Sequence, residues 1–190
     1  MDLWVKNINN LQRLLTSISV QDDHGREIGI DNGFARWIEM TENMRSEEKG
    51  VFFVGNGASS SMASHFSTDI AKTCGLRSRV FTDSSLLTAV SNDLCFEEVF
   101  AEPLRWHMKT GDMLVAISSS GNSPNIIRAV KAAKELEGKI VTLSAMDQGN
   151  ALRKEGELNF YVAGQTYGQA ETAHAVILHH WLDLAAKTGE

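Results

Sequence analysis

The sequence predicts an α/β protein: a three-layer α/β/α, doubly wound sheet of five parallel strands, with two helices ahead of it. Three observations predict it. Short apolar runs that do not alternate, Val51–Val54, Met113–Ile117 and Leu158–Val162, have the composition of strands buried on both faces. Segments with helical spacing separate them, which is the βαβ rhythm of a parallel sheet. Two of the runs end in Gly/Ser-rich loops that open helices, Gly55-Asn-Gly-Ala-Ser-Ser60 and Ser118-Ser-Ser-Gly-Asn-Ser123. In such sheets ligands bind outside the carboxyl ends of the strands.

The elements follow in order. Leu3, Ile8, Leu11, Leu15 and Ile18 recur at near-helical spacing, giving an amphipathic helix over residues 2–18. Gln21-Asp-Asp-His-Gly-Arg26 breaks it. Asp31 and Asn32 are candidate caps of a second helix carrying Phe34, Trp37, Ile38 and Met44. The two helices are expected to cover the sheet or to meet a partner subunit. The first strand, Val51–Val54, leads through Gly55-Asn-Gly57 into a helix reaching about Lys72, and Arg79–Thr82 is the second strand. Ser84–Val90 is a short helix closed by Ser91-Asn-Asp93, and Phe96–His107 another, with Pro103 expected to bend it. Met113–Ile117 is the third strand. Ser123 is a candidate N-cap, Pro124 suits the first turn of the next helix, and Gly138 is expected to end that helix. Ile140–Leu143 is the fourth strand, Ala151–Lys154 a helical turn, Leu158–Val162 the fifth strand, and Gly168–Ala186 a long last helix. One domain over 1–190 is expected, a helical segment at 1–48 followed by the α/β core at 49–190.

Bulk properties narrow the function. The 190 residues carry a formal net charge of −6, so broad attraction to nucleic acid is not expected. No apolar stretch approaches the roughly 20 residues that span a bilayer, so no membrane partner is expected. The two cysteines, Cys74 and Cys95, match no metal or redox spacing. With no basic-then-apolar leader at Met1–Lys6, they read as free thiols of a reducing cytoplasm.

The serine loop carries the clearest chemistry. Backbone N–H groups at a helix N-terminus bear partial positive charge, and hydroxyls around them complete a cradle for phosphate. The loop lacks the lysine of a Walker-type P-loop, so dipoles and hydroxyls would hold the phosphate, as in a sugar phosphate. An ordinary Ser/Gly turn is the plainer alternative. Gly55-Asn-Gly57 is not the dinucleotide fingerprint, because Ser60 stands where a third glycine would. His65 and Asp69, at i and i+4, share a helix face and could hold a metal, couple a base to a proton carrier, or form an ordinary surface pair. The last helix holds Glu171, His174, His179 and His180 within ten residues. With His65 and Asp69 a four-donor N/O site for zinc or another divalent ion becomes possible. Spacing does not say which of the three histidines are structural.

Taken together, Val54-Gly-Asn-Gly-Ala-Ser59, Ser91-Asn-Asp93, Ile117-Ser-Ser-Ser-Gly-Asn-Ser123 and the paired acid/His motifs resemble the sugar isomerase (SIS) domain. Within it, the chain is similar to the phosphoheptose isomerases over nearly its whole length. The resemblance implies an α/β/α, flavodoxin-like fold, a homotetramer with active sites between subunits, and isomerisation of sedoheptulose 7-phosphate to D-glycero-D-manno-heptose 7-phosphate in the making of lipopolysaccharide, capsule or related glycans. It implies that Ser118, Ser119, Ser120 and Ser123 hold the phosphate and that Asn56, Gly57, Ala58, Ser59, Asn92, Asp93 and Glu171 line the sugar. It implies zinc on His65, Asp69, Glu171 and His179, with Asp69 and His179 catalytic. The chain departs from the family at three of these positions: Asp69 stands for a Glu, retracting the carboxylate by one methylene, Glu171 for a Gln, adding a negative charge, and Ala58 for a second glycine, a mild change. Two other readings fit the same motifs: a non-catalytic SIS regulator that binds a protein partner, and a different SIS sugar-phosphate isomerase.

Overall fold

The computed structural model describes residues 3–187; Asp2, at the start of the expected first helix, and the ends of the expected 1–190 domain lie outside them. In chain order the elements are α1 (Leu3–Thr16), β1 (Ser19–Asp22), α2 (Ile30–Ser46), β2 (Gly50–Gly55), α3 (Ala58–Cys74), β3 (Arg77–Val80), α4 (Ser84–Asp93), α5 (Ala101–His107), β4 (Met113–Ser118), α6 (Pro124–Glu135), β5 (Lys139–Ala145), β6 (Leu158–Val162) and α7 (Tyr167–Lys187). Single 3₁₀ turns sit at Phe96–Glu98 and Ala151–Lys154. The strands form one sheet in the order β1-β6-β5-β4-β2-β3.

Why the apolar runs do not alternate is visible in the packing. Successive side chains of a strand point to opposite faces, and both faces are covered. Along β2, Val51 and Phe53 enter one core while Phe52 and Val54 enter the other. Along β4, Met113, Val115 and Ile117 face the first core, Leu114 and Ala116 the second. α2, α3 and α7 cover the first face and α4, α5 and α6 the second, which is the expected α/β/α layering. In the first core the Trp37 and Trp181 rings stack 4.3 Å apart, 9° from parallel. Trp181 Nε1 donates to Thr41 Oγ1 at 2.9 Å, and that hydroxyl donates to the Trp37 carbonyl at 2.7 Å. Thr41→Val keeps the shape but strips the buried indole N–H of its acceptor. It should lower the unfolding free energy in urea by about 1–3 kcal/mol, the usual cost of an unpaired buried donor; an unchanged midpoint would show that the bond contributes nothing.

The sheet has a sixth strand. β1 pairs antiparallel with β6, Ser19 opposite Tyr161 and Asp22 opposite Leu158, so five strands are parallel and one edge is not. Its four residues, Ser-Val-Gln-Asp, include only one large apolar side chain, Val20, too little to register as a strand. Asp22 closes the turn after it, accepting from the His24 and Arg26 backbone N–H groups at 2.9 Å. Other expectations shift for local reasons. α2 begins at Ile30 with Gly29 in the cap position, so Asp31 and Asn32 lie inside the helix. The expected helix Phe96–His107 is a 3₁₀ turn and then α5, where Pro103 sits in the first turn and its missing N–H costs no intrahelical bond. α4 continues through Asp93, and β3 starts two residues earlier than expected, at Arg77. The left-handed residue that closes α6 is Glu137, φ 56°, rather than Gly138. α2 buries Phe34, Trp37 and Met44, whereas Leu3, Trp4, Val5 and Ile8 of α1 are exposed. Among the described residues no helix is long and apolar enough to cross a membrane.

Candidate active site

β2 and β4 are neighbours, and the chain proceeds from them toward opposite edges of the sheet. Their carboxyl ends therefore flank the switch point, where doubly wound sheets leave a crevice. A cavity of about 160 Å³ opens there. Asn56 and Ser59 reach it from the β2–α3 loop, Ser118, Ser119, Ser120 and Ser123 from the β4–α6 loop, and Tyr167 and Glu171 from the start of α7. No lysine or arginine lines it. The hydroxyls and the α6 N-terminus are the groups available to an anion, as expected for a phosphate held by dipoles.

The serine loop is held in shape by its neighbours. Gly121 N–H donates to the Ser118 carbonyl at 3.0 Å and lies 3.2 Å from Ser118 Oγ. Gly121 itself has φ +63°, in the left-handed region that glycine adopts at no steric cost. The Leu152 N–H donates to the Gly121 carbonyl at 2.9 Å, the Ala145 N–H to the Ser119 carbonyl at 3.1 Å, and the Ala151 N–H to Asn122 Oδ1 at 3.0 Å. Ser123 occupies the N-cap position of α6 with Pro124 after it, as expected, but its hydroxyl makes no cap bond. It stands 3.4 Å from Ser118 Oγ instead, on the cavity wall.

The other candidates divide into three groups. Gly57 and Ala58 are exposed where α3 starts, Gly57 with φ 56°, and do not line the cavity. Asn92 and Asp93 form the end of α4, exposed and bonded to each other at 2.9 Å, also outside the cavity. His65, Asp69 and His179 gather along the α3/α7 seam. His65 Nε2 lies 3.2 Å from Asp69 Oδ2, and the His179 ring stands edge-on to Phe66 at 4.7 Å and to His65 at 5.6 Å between centroids.

The four-donor metal set is not assembled. Among the described residues no group of three or more His, Cys, Asp or Glu side chains is arranged to hold a metal ion. Glu171 lines the serine-walled cavity. His179 is eight residues further along the same helix, about 12 Å at 1.5 Å per residue. The three histidines of α7 go three ways. His179 faces the seam, and His180 packs edge-on against Phe34 with centroids 4.6 Å apart. His174 is fully buried, and neither ring nitrogen has a hydrogen-bond partner. Burial holds its pKa down at about 4, outweighing the Ser144 backbone, which favours the charged form.

Sequence reasoning missed Tyr167, Asn125 and Asn150. Tyr167 is an exposed aromatic at the cavity rim and the first residue of α7, with no sequence signal of its own. Asn125 is a buried amide in the first turn of α6. An asparagine inside an otherwise apolar helix face was the available clue. Asn150 Nδ2 donates to the Asp147 carbonyl at 2.7 Å and its Oδ1 accepts from the Arg153 N–H at 3.0 Å, wedging its amide against Gly121.

Residues 31–145 match the model of the SIS domain. The phosphoheptose isomerase of Aromatoleum aromaticum is 35% identical over 137 residues, which cover 68% of this chain and 69% of that one. The chain belongs to the phosphoheptose isomerase family of SIS-domain proteins. The similarity runs nearly end to end: the phosphoheptose isomerase of Shewanella denitrificans is 31% identical over 188 residues, 94% of this chain and 96% of that one. The solved phosphoheptose isomerase of Neisseria gonorrhoeae superposes with a TM-score of 0.74 at 26% identity, covering 95% of this chain and 91% of the other. Within this SIS-domain frame the cavity lies on loops from β2 and β4, both inside or bordering the matched segment, while Glu171 and His179 come from α7 beyond it.

Proposed function

We propose that the chain is a sugar-phosphate isomerase converting sedoheptulose 7-phosphate to D-glycero-D-manno-heptose 7-phosphate, for lipopolysaccharide, capsule or related glycans. The observation that carries this reading is the cavity at the switch point, with four serines from one loop at a helix N-terminus and a carboxylate across from them. Family membership supplies the reaction class.

The phosphate would sit on Ser118, Ser119, Ser120 and Ser123, giving binding energy remote from the reacting carbons that positions them. Glu171 would accept hydrogen bonds from sugar hydroxyls beside the cradle. α3 and α7 both leave the cavity and pack together, so the sugar would extend along their seam toward His65, Asp69 and His179. That span, about two helical turns, suits a long sugar phosphate better than a triose. There Asp69 would take the proton from the carbon beside the carbonyl and return it to the neighbouring carbon, while His179 passes a proton between the two oxygens. A divalent cation such as zinc enters this proposal only at the adjoining His65 and Asp69, and no step is assigned to it. Metal content per purified chain measures that directly. Assembly as a homotetramer would cover the exposed Leu3, Trp4, Val5 and Ile8 of α1, and light scattering reads it out. We place the protein in the cytoplasm, where its two thiols stay reduced.

A coupled assay with sedoheptulose 7-phosphate tests the reaction. Ser120→Ala is expected to raise KM with kcat little changed. Asp69→Ala and His179→Ala are each expected to lower kcat by at least 100-fold while the folded spectrum is kept. Normal turnover in either would remove these roles, and no turnover by the unmodified protein would favour the reading as a binding regulator.

A further inference from the structure

The two loops that form the cavity are joined by one pair of side chains. Asn56 Nδ2 donates to Asn125 Oδ1 at 2.9 Å, and Asn125 Nδ2 donates back to Asn56 Oδ1 at 2.9 Å. The partners are 69 residues apart in sequence, one on the β2–α3 loop and one in the first turn of α6. Asn125 is 2% exposed and does not line the cavity; Asn56 is half-buried and does.

Asparagine is a poor helix residue, and burying its amide costs further unless it is bonded. Asn125 has both bonds, and both go to the same partner. A carboxamide offers two N–H groups and two lone pairs. The reciprocal pair uses one of each on Asn56, leaving one N–H and one lone pair in a fixed plane. Asn56 is thereby held as a polar wall opposite the serines, and the distance between the β2–α3 loop and the α6 N-terminus is set by two parallel hydrogen bonds.

We propose that Asn125 is a positioning residue of the phosphate site: through the reciprocal amide pair it orients Asn56 and fixes the spacing of the two loops that close on the sugar phosphate. The proposal rests on the phosphate-cavity reading above. Asn125 itself touches no substrate.

The test is a double-mutant cycle on the full-length protein. Asn56→Ala and Asn125→Ala are each expected to raise KM for sedoheptulose 7-phosphate about tenfold, the size expected when one or two hydrogen bonds to the site are lost. kcat should stay within about twofold. The double variant should be no worse than the poorer single, because each substitution removes the same pair. Asn125→Asp nearly preserves volume but sets a carboxylate oxygen against Asn56 Oδ1; it should show the same rise in KM, and it serves if the alanine variant does not fold. Unchanged KM in folded Asn125→Asp, or KM losses that multiply in the double variant, would overturn the proposal. If the unmodified protein does not turn the sugar over, the same five proteins, the unmodified one included, are titrated with inorganic phosphate by calorimetry. A tenfold weakening by the Asn125 substitutions then supports the positioning role although the isomerase reading has failed. Equal affinity in all five overturns it.

Discussion

Gly121→Ala is expected to disable the phosphate cradle. Two effects add. An alanine at φ +63° sits in the left-handed region, at a cost of roughly 1–2 kcal/mol. Its Cβ would also overlap the Asn150 carboxamide. That amide cannot withdraw cheaply. It is 1% exposed, and its bonds to the Asp147 carbonyl and the Arg153 N–H anchor the segment that in turn donates to the Gly121 carbonyl. Overpacking of this kind costs a further 1–3 kcal/mol or so. Where the loop relaxes instead of unfolding, the serines shift on the cavity wall, and under the proposed reading affinity for the sugar phosphate falls. The expected result is a drop of at least about 2 kcal/mol in urea stability, a tenfold or larger rise in KM, or both. A variant with the parental unfolding midpoint and KM would show that this loop geometry is not needed.

The second large effect is on acid stability, and it comes from His174. The ring is fully buried, makes no hydrogen bond of normal geometry, and has a pKa held down by burial at about 4 from 6.5, against a smaller opposing influence of the Ser144 backbone. The folded chain thus favours the neutral ring, and the unfolded chain takes up a proton first as pH falls. The stabilisation is whole above about pH 6.5 and is lost progressively down to about pH 4, with no further loss from this group below that. The shift corresponds to roughly 3 kcal/mol. Asp22, whose hydrogen bonds from Arg26 and His24 overcome its burial and hold it at about 2, loses its contribution at lower pH still. The two windows are therefore separable. His174→Leu removes the titrating ring and two unpaired polar atoms, so it should be near neutral at pH 7.5. Between pH 7 and pH 4.5 its unfolding midpoint in urea should fall by much less than that of the parent. Parallel slopes for the two proteins would mean that His174 has no part in the acid response.

How far the sequence alone could be read depended on the range of the interactions involved. The parallel strands were legible because burial on both faces leaves a local mark, the unbroken apolar run, and β6 matches its expected limits, Leu158–Val162. β1 was not legible. Its four residues become a strand by pairing with β6, more than a hundred residues away. The serine loop was legible for the same local reason as the strands: hydroxyl-rich residues, a glycine and a helix-starting proline are contiguous. All four of its expected serines reach the cavity. The motif Ser91-Asn-Asp93 is equally local, but where it stands relative to the serines is not: Asn92 and Asp93 end α4, exposed and outside the cavity lining.

The α7 cluster shows where one-dimensional spacing stops. Glu171, His174, His179 and His180 are close in sequence and share a helix, yet one meets the serine-lined cavity, one is sealed in the core, one joins His65 and Asp69, and one packs on Phe34. Helical periodicity gives the angle of each side chain about the axis, but what stands at that angle is decided by α1, α2, α3 and the sheet. By itself the sequence determined the α/β class and the hydroxyl-rich loop at a helix start, because each is written in adjacent residues. Only the tertiary structure decided which acid shares the serine-lined cavity, which histidine stays neutral, and that Asn56 and Asn125 clasp each other, because those depend on groups brought together from distant parts of the chain.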